Sequence, residues 1–286
     1  MPKSQLIKQS DVTAMIRLIG ECRELGDDPA IWRHHFLAVV SKLIDADMGS
    51  GGEVTGCLAG RVASPGVALW GFDHGFNLDG LRILWEWNVV DPDYSQLWVR
   101  FRDRLRASPA GSTAARYQVF SDDPWERSPD YQQAMRTLGA DAVMHSFHQL
   151  PAGGGAFEGC CWFRTRGRAE FDEREVALVT LLHQETTRLI GGPLARFDEP
   201  GPSQLPPRAR QTLRCMLEGD TDKQIAARLA LSTHTINQYA KRIYRHFGVS
   251  GRSELLARWV RRGWKLQAAW DVPDLEHAAL YPVSEF

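Results

Sequence analysis

The sequence predicts an α+β domain followed by a small all-α domain of four helices, and three observations carry that expectation. Residues 221–248, TDKQIAARLALSTHTINQYAKRIYRHFG, hold two amphipathic helices separated by a three-residue break. Residues 191–207, GGPLARFDEPGPSQLPP, are rich in Gly and Pro and lack apolar periodicity, which marks a linker. Ahead of it, short strand-like runs alternate with helical ones. At 286 residues the chain exceeds one ordinary domain. The expected division is 1–192, a linker at 193–204, a helical domain at 205–264 and an extension at 265–286.

The first helix is expected over 11–25, with Val12, Met15, Ile16, Ile19 and Cys22 at helical spacing and Gly26 closing it. Asp28-Pro29 then caps and opens a second helix containing Trp32, Phe36, Val39, Val40, Leu43 and Ile44. Gly49, Gly51 and Gly52 precede no clear helix and read as a flexible loop. Strands are expected at 66–72, 116–120, 142–150 and 157–165, with helices near 93–107 and 128–138 between them. A long helix over 172–190 ends the region, opened by a capping-box-like pair of Asp172 and Glu175.

In the second domain, Pro207 opens a helix at the position where a missing N–H costs nothing, with Leu213, Met216 and Leu217 apolar and Gly219 at its end. The next helix, 222–229, turns Ile225, Ala226 and Leu229 inward, and small Ala226 permits a close crossing. Ser232 is the expected N-cap of a third helix, 233–247, whose buried stripe is Ile236, Ala240, Ile243 and Phe247. Gly248 ends it, and 252–262 forms a fourth helix with Leu255, Leu256 and Trp259 inward.

The opposite face of the third helix holds His234, Asn237, Gln238, Lys241 and Arg245 and no carboxylate. An ordinary solvated helix face mixes both charge signs. A face that lies against phosphates should lack acids, and Asn, Gln, Lys and Arg are the side chains that pair with base edges, while a Thr hydroxyl or a helix N-terminus holds a phosphate. The pattern therefore points to a helix-turn-helix that reads double-stranded DNA.

Residues 205–264 resemble the LuxR-type (GerE-type) helix-turn-helix module. The matching phrases are Leu205-Pro206-Pro207-Arg208-Ala209 through Leu213, Gly219-Asp220-Thr221-Asp222-Lys223-Gln224-Ile225-Ala226, Ser232-Thr233-His234-Thr235-Ile236-Asn237-Gln238-Tyr239 and His246-Phe247-Gly248-Val249. Ala209 stands where the family usually has Glu, and Asn237 where it often has Lys. The resemblance implies base contacts from Asn237, Gln238 and Lys241, phosphate contacts from Thr235, Arg242 and Arg245, and a helix start, Ser232, Thr233 and His234, close to the DNA. It also implies a homodimer and a contact with RNA polymerase.

Charge follows the same division. Residues 205–264 carry twelve Lys or Arg against four acids, a net of +8, whereas the whole chain is at −1, so the remainder carries −9. No window holds the apolar run of a membrane span and the N-terminus has no signal-peptide core, so a cytoplasmic protein with no membrane partner is expected. Five cysteines without C-x-x-C spacing suggest neither a disulfide framework nor a zinc site. Adjacent Cys160 and Cys161 should point to opposite faces of a strand.

The order of elements in the first domain resembles a GAF or PAS-like domain, and FDEREVALVTLLHQETTRLIG resembles the last helix of GAF domains. That resemblance implies dimerisation or a small-molecule pocket over the sheet, for which Trp70, Trp85, Trp87, Trp98 and Tyr131 are candidate lining residues, with Trp125 among the other aromatics and core packing the alternative for each. Trp85, Asp91-Pro92 and Trp98 match only in part the Trp, Tyr and Asp-Pro pattern of modules that sense acyl-homoserine lactones. His145 and His148 fall on opposite faces of a strand and read as satisfied polar residues at a sheet edge.

No phosphate loop, nucleophile elbow, zinc helix or dinucleotide fingerprint is present, nor the ordered acids and Lys of a phosphoreceiver, so neither an enzyme, a two-component receiver nor a cofactor is expected. The expected action is that of a dimer, joined through the first domain and the 252–262 helix, that sets two recognition helices in successive major grooves of an inverted repeat. A signal in the first domain would reposition them through the linker. An architectural DNA binder with an inert first domain is the competing reading.

Overall fold

The computed structural model describes residues 7–59, 62–72, 79–84, 93–151 and 154–265, without the side chains of 122 and 123. Trp85, Trp87, Asp91-Pro92 and the extension from 266 onward lie outside the described residues.

Two helices open the chain, α1 (Gln9–Glu24) and α2 (Pro29–Leu43). Asp28 starts α2 as its sequence predicts, its carboxylate accepting from the amides of Ala30 and Ile31 at 3.1 and 3.2 Å. In α1 the expected stripe is only partly buried. Leu18 and Cys22 are fully covered, while Val12 is 46% and Ile16 68% exposed, because the helix rests on its neighbours along the Leu18–Cys22 line.

The sheet has five strands, β1 (Met48–Val54), β2 (Ala68–Trp70), β3 (Gly111–Ala115), β4 (Ala140–Gln149) and β5 (Phe157–Thr165). Their order is β2-β1-β5-β4-β3 and every neighbouring pair is antiparallel. One face packs on α1, α2 and α4 (Glu173–Thr187); the other faces α3 (Gln96–Ala107) and the segment 130–138. This is the α+β architecture expected.

The segment expected as a flexible loop at Gly49, Gly51 and Gly52 is instead strand β1, inside the sheet and paired on both sides. Its glycines answer to crowding. A Cβ on Gly52 would stand 2.3 Å from the carbonyl oxygen of Gly66, so the strand lacks the bulky alternation that announces one.

The strand expected at 116–120 lies earlier, at Gly111–Ala115, and Arg116–Gln118 form a 3₁₀ turn. Small residues serve there because α4 crosses close to β3, which costs the run its β-forming signature. The single helix expected over 128–138 is a π-helical segment, Asp130–Met135, continuing into a turn of α-helix, Arg136–Leu138, that Gly139 ends at φ +87°. Asp172 and Glu175 form the expected capping box, each carboxylate accepting from the other's amide at 2.9 and 2.8 Å.

The stretch 193–204 is packed rather than looping through solvent. Leu194 and Ala195 are fully buried and Trp32 Nε1 donates to the Ala195 carbonyl at 2.9 Å. Beyond it come α5 (Pro207–Leu217), α6 (Asp222–Leu229), α7 (Thr233–Phe247) and α8 (Arg252–Arg262), at the expected bounds around their own core. Among the described residues no helix is long and apolar enough to cross a membrane.

Candidate nucleic-acid interface

The core of the second domain fixes the pose of α7. Ile236, Ala240, Ile243 and Phe247 are buried, and Phe247 meets Trp259 of α8 edge-on with ring centroids 5.0 Å apart. Thr221 caps α6 reciprocally with Gln224, and Leu231 N donates to Ala226 O at 2.9 Å across the break. Ala230 takes the left-handed conformation at φ +54°, a strained choice for a residue with a Cβ, which makes the turn sharp. Ser232 caps α7 as expected, its Oγ accepting from Thr235 N at 3.0 Å and lying 2.8 Å from the Thr235 hydroxyl.

That pose leaves one face of α7 in solvent. Thr233, His234, Asn237, Gln238, Lys241, Arg242 and Arg245 are exposed together with Ser232, and Thr235 is half-buried beside them. The four acids of the domain are engaged elsewhere. Arg228 pairs with Glu218 and, at 3.0 Å, with Asp220; Asp222 lies 3.9 Å from Arg252; Glu254 accepts from the amide and hydroxyl of Ser250 at 2.7 and 2.6 Å, which hold its carboxyl below the ordinary carboxylate range. Arg252, Arg258 and Arg262 also serve internal carbonyls, of Met216, Phe247 and Gly192. The cations of α7 thus face outward on a rigid helix from which carboxylates are absent.

Residues 203–259 match the family described as bacterial regulatory proteins, luxR family. They are a LuxR-family DNA-binding domain. By that match the segment is the DNA-binding domain of a bacterial regulatory protein. Among solved structures, Escherichia coli SdiA aligns over 88% of this chain and 98% of its own at 14% identity and a TM-score of 0.39. SdiA in complex with octanoyl-rac-glycerol aligns over 90% and 97% at 15% identity and 0.41, and the VqsR ligand-binding domain from Pseudomonas aeruginosa over 63% and 93% at 12% and 0.39. No curated protein matches the chain.

The domain preceding the LuxR-family module encloses a cavity between the sheet and α3. Val143, Phe147 and Phe163 give it apolar walls, and Ser50, Cys161, His145 and Trp98 are among its other lining residues. Trp98 Nε1 and His145 Nδ1 are buried and, among the described residues, have no hydrogen-bond partner. Burial without an opposite charge holds the His145 imidazole down at about 4, hence neutral near pH 7, and pushes the Cys161 thiol up to about 12. Asp130, buried and raised by that burial, accepts from Ser95 Oγ at 2.5 Å and from Gln96 N at 3.0 Å, which pins the start of α3 and so the Trp98 ring.

Of the aromatic residues expected at a pocket, Trp98 lines the cavity. Trp70 does not, because strand alternation turns it to the face covered by α1, α2 and α4, among the cluster around Trp32 and Phe36. Tyr131 packs beside Trp125 with centroids 5.7 Å apart and gives its hydroxyl to Asp141 at 3.1 Å, away from the cavity. His145 and His148 do face opposite ways, but neither lies at a sheet edge: β4 runs between β3 and β5, and His145 leaves a ring nitrogen unpartnered. Sequence reasoning missed Ser50, which sits in the glycine-rich strand, and Cys161, read only as packing.

Proposed function

We propose that the chain is a transcriptional regulator that binds an inverted-repeat duplex as a homodimer through α7, under the control of an uncharged small molecule held in the cavity of residues 1–192. The observation that carries the DNA reading is the outward face of Asn237, Gln238, Lys241, Arg242 and Arg245, exposed on a capped helix while every acid of the domain is engaged elsewhere. Asn237, Gln238 and Lys241 are the proposed base readers; Thr235, Arg242 and Arg245 the proposed phosphate contacts. Contact with RNA polymerase belongs to the same proposal.

The competing reading, an architectural binder with an inert first domain, gives no use to the cavity. An unpartnered buried donor costs about 1–3 kcal/mol, and a neutral ligand with an acceptor for Trp98 Nε1 would recover that. The sensor reading is favoured on that ground. Selection of bound sequences from a random duplex pool by the full chain tests the proposal: a two-fold symmetric motif with half-sites about one helical turn apart supports it, and no enrichment, or an asymmetric single half-site, removes it.

A further inference from the structure

The segment after α4 is bonded to both domains. On the sensor side, Ala195 N donates to Gly26 O at 2.7 Å, Ser203 N to Asp28 Oδ2 at 2.8 Å and Phe197 N to Glu53 Oε1 at 2.7 Å. Arg196 Nε stands 3.0 Å from Glu53 Oε2, in ion-pair range. Glu53 is held in turn by Arg33 at 2.9 Å, and the same guanidinium grips Glu158 of β5 at 2.7 and 3.0 Å and covers the Phe197 ring at 4.2 Å. All three charged groups, Arg33, Glu53 and Glu158, are buried. A buried ion cluster of this kind tolerates no loose geometry, since any unpaired member costs several kcal/mol.

On the DNA-binding side, Arg262 of α8 donates to Gly192 O at 2.7 Å and pairs with Glu199, Trp264 Nε1 donates to Pro193 O at 2.8 Å, and His246 Nε2 lies 2.9 Å from Gly201 O. Ala195 belongs to the same apolar cluster as Trp259 and Trp264. Glu53 immediately precedes Val54, whose side chain lines the cavity on the other face of β1.

We propose that residues 192–204 are a rigid strut that couples the cavity strand β1 to the DNA-binding domain, anchored by Glu53 at one end and by the Arg262–Glu199 pair with Trp264 at the other. A shift of β1 is delivered to Phe197 and Arg196 through Glu53 and passed to α8, so the two domains behave as one cooperative body. This regulatory role rests on the sensor reading above. The coupling itself is measurable with neither ligand nor DNA.

The test is calorimetric unfolding of the full chain and of Glu199→Arg, Arg262→Glu and the double charge swap. The wild type should unfold in one transition and each single variant in two as the DNA-binding domain comes free; the double variant regains the ion pair with reversed sign but neither the Arg262 bond to Gly192 O nor the Arg196 N–H bond to Glu199, so its two transitions should lie closer together than in either single variant. Hydrogen exchange of Ala195 and Phe197 amides should stay slow in all four, since their sensor-side partners are untouched. Two transitions in the wild type, one transition at an unchanged midpoint in both single variants, or a double variant whose transitions lie no closer together than those of the single variants would each overturn the strut. Duplex binding by the same wild-type protein reports separately on the DNA proposal, so a failure there leaves the cooperativity result intact.

Discussion

Gly51 and Cys160 face each other across the β1–β5 ladder, and the Sγ of Cys160 stands 2.7 Å from the point that a Cβ on Gly51 would occupy. Leu37 of α2 closes the same space at 3.4 Å. The glycine is what lets α2 and the sheet approach each other, so strand β1 is built around an absent side chain.

Gly51→Ala should therefore lower stability by about 1–3 kcal/mol, the usual cost of overpacking a filled core. Gly20→Ala is the matched control. Gly20 lies inside α1 with nothing within 4 Å of a built Cβ, and replacing a helical glycine gains roughly 0.5–1 kcal/mol. Urea unfolding of the two variants should move the midpoint in opposite directions; a shared direction contradicts the packing described for β1.

The helical domain was legible almost element by element because several of its boundaries have a local chemical cause that the sequence shows: Pro207 at a first turn, Ser232 as a cap and Gly248 as a left-handed end; the Thr221 cap and the Gly263 end came only with the structure. The sheet was legible only where both faces carry bulky residues, as in β4 and β5. Strands β1 and β3 escaped because tertiary crowding selects Gly, Ser and Ala there, the residues that propensity assigns to loops. Trp98 was visible as an aromatic, whereas Ser50 and Cys161 line the cavity only through a register that no local pattern specifies.

Ser232→Ala removes the one side chain that accepts from the first turn of α7 at Thr235 N. The expected loss is about 1 kcal/mol of domain stability, with Ser232→Asp nearly neutral because a carboxylate also caps. Thermal unfolding reads both. Duplex binding should fall for the Asp variant despite its intact cap, since a negative charge is placed beside the proposed phosphate contacts.

Acid should weaken the first domain through its buried histidines. Burial holds His145 and His148 at about 4 each, and His183, packed against His148 with ring centroids 5.0 Å apart, is held well below its ordinary value by burial, by that neighbour and by the Arg33 charge. His145 and His148 take up their protons near 6.5 in the unfolded chain and only near 4 in the folded one, so the unfolded state binds more protons between those values. Stability is full above about pH 6.5 and declines as pH falls toward 4, by ~1.4 kcal/mol per pH unit for each histidine. His148→Gln should remove one such increment from the slope of unfolding free energy against pH; an unchanged slope would show that His148 is not held neutral.

The remaining prediction separates base reading from phosphate binding on α7. Lys241 and Arg245 are one turn apart on the exposed face and differ in proposed role. Lys241→Ala should weaken binding to a selected duplex by about 1–3 kcal/mol while leaving random-sequence duplex nearly unaffected, because a lost base contact is paid only on the correct base. Arg245→Ala should weaken selected and random duplex alike and reduce the slope of log affinity against log salt by about one, since one fewer counterion is released. Gel shifts at two salt concentrations on both duplexes give four numbers for each variant, enough to place each side chain. Equal behaviour of the two variants would show that both cations meet only the backbone, and normal binding by both would move the DNA contact off this helix.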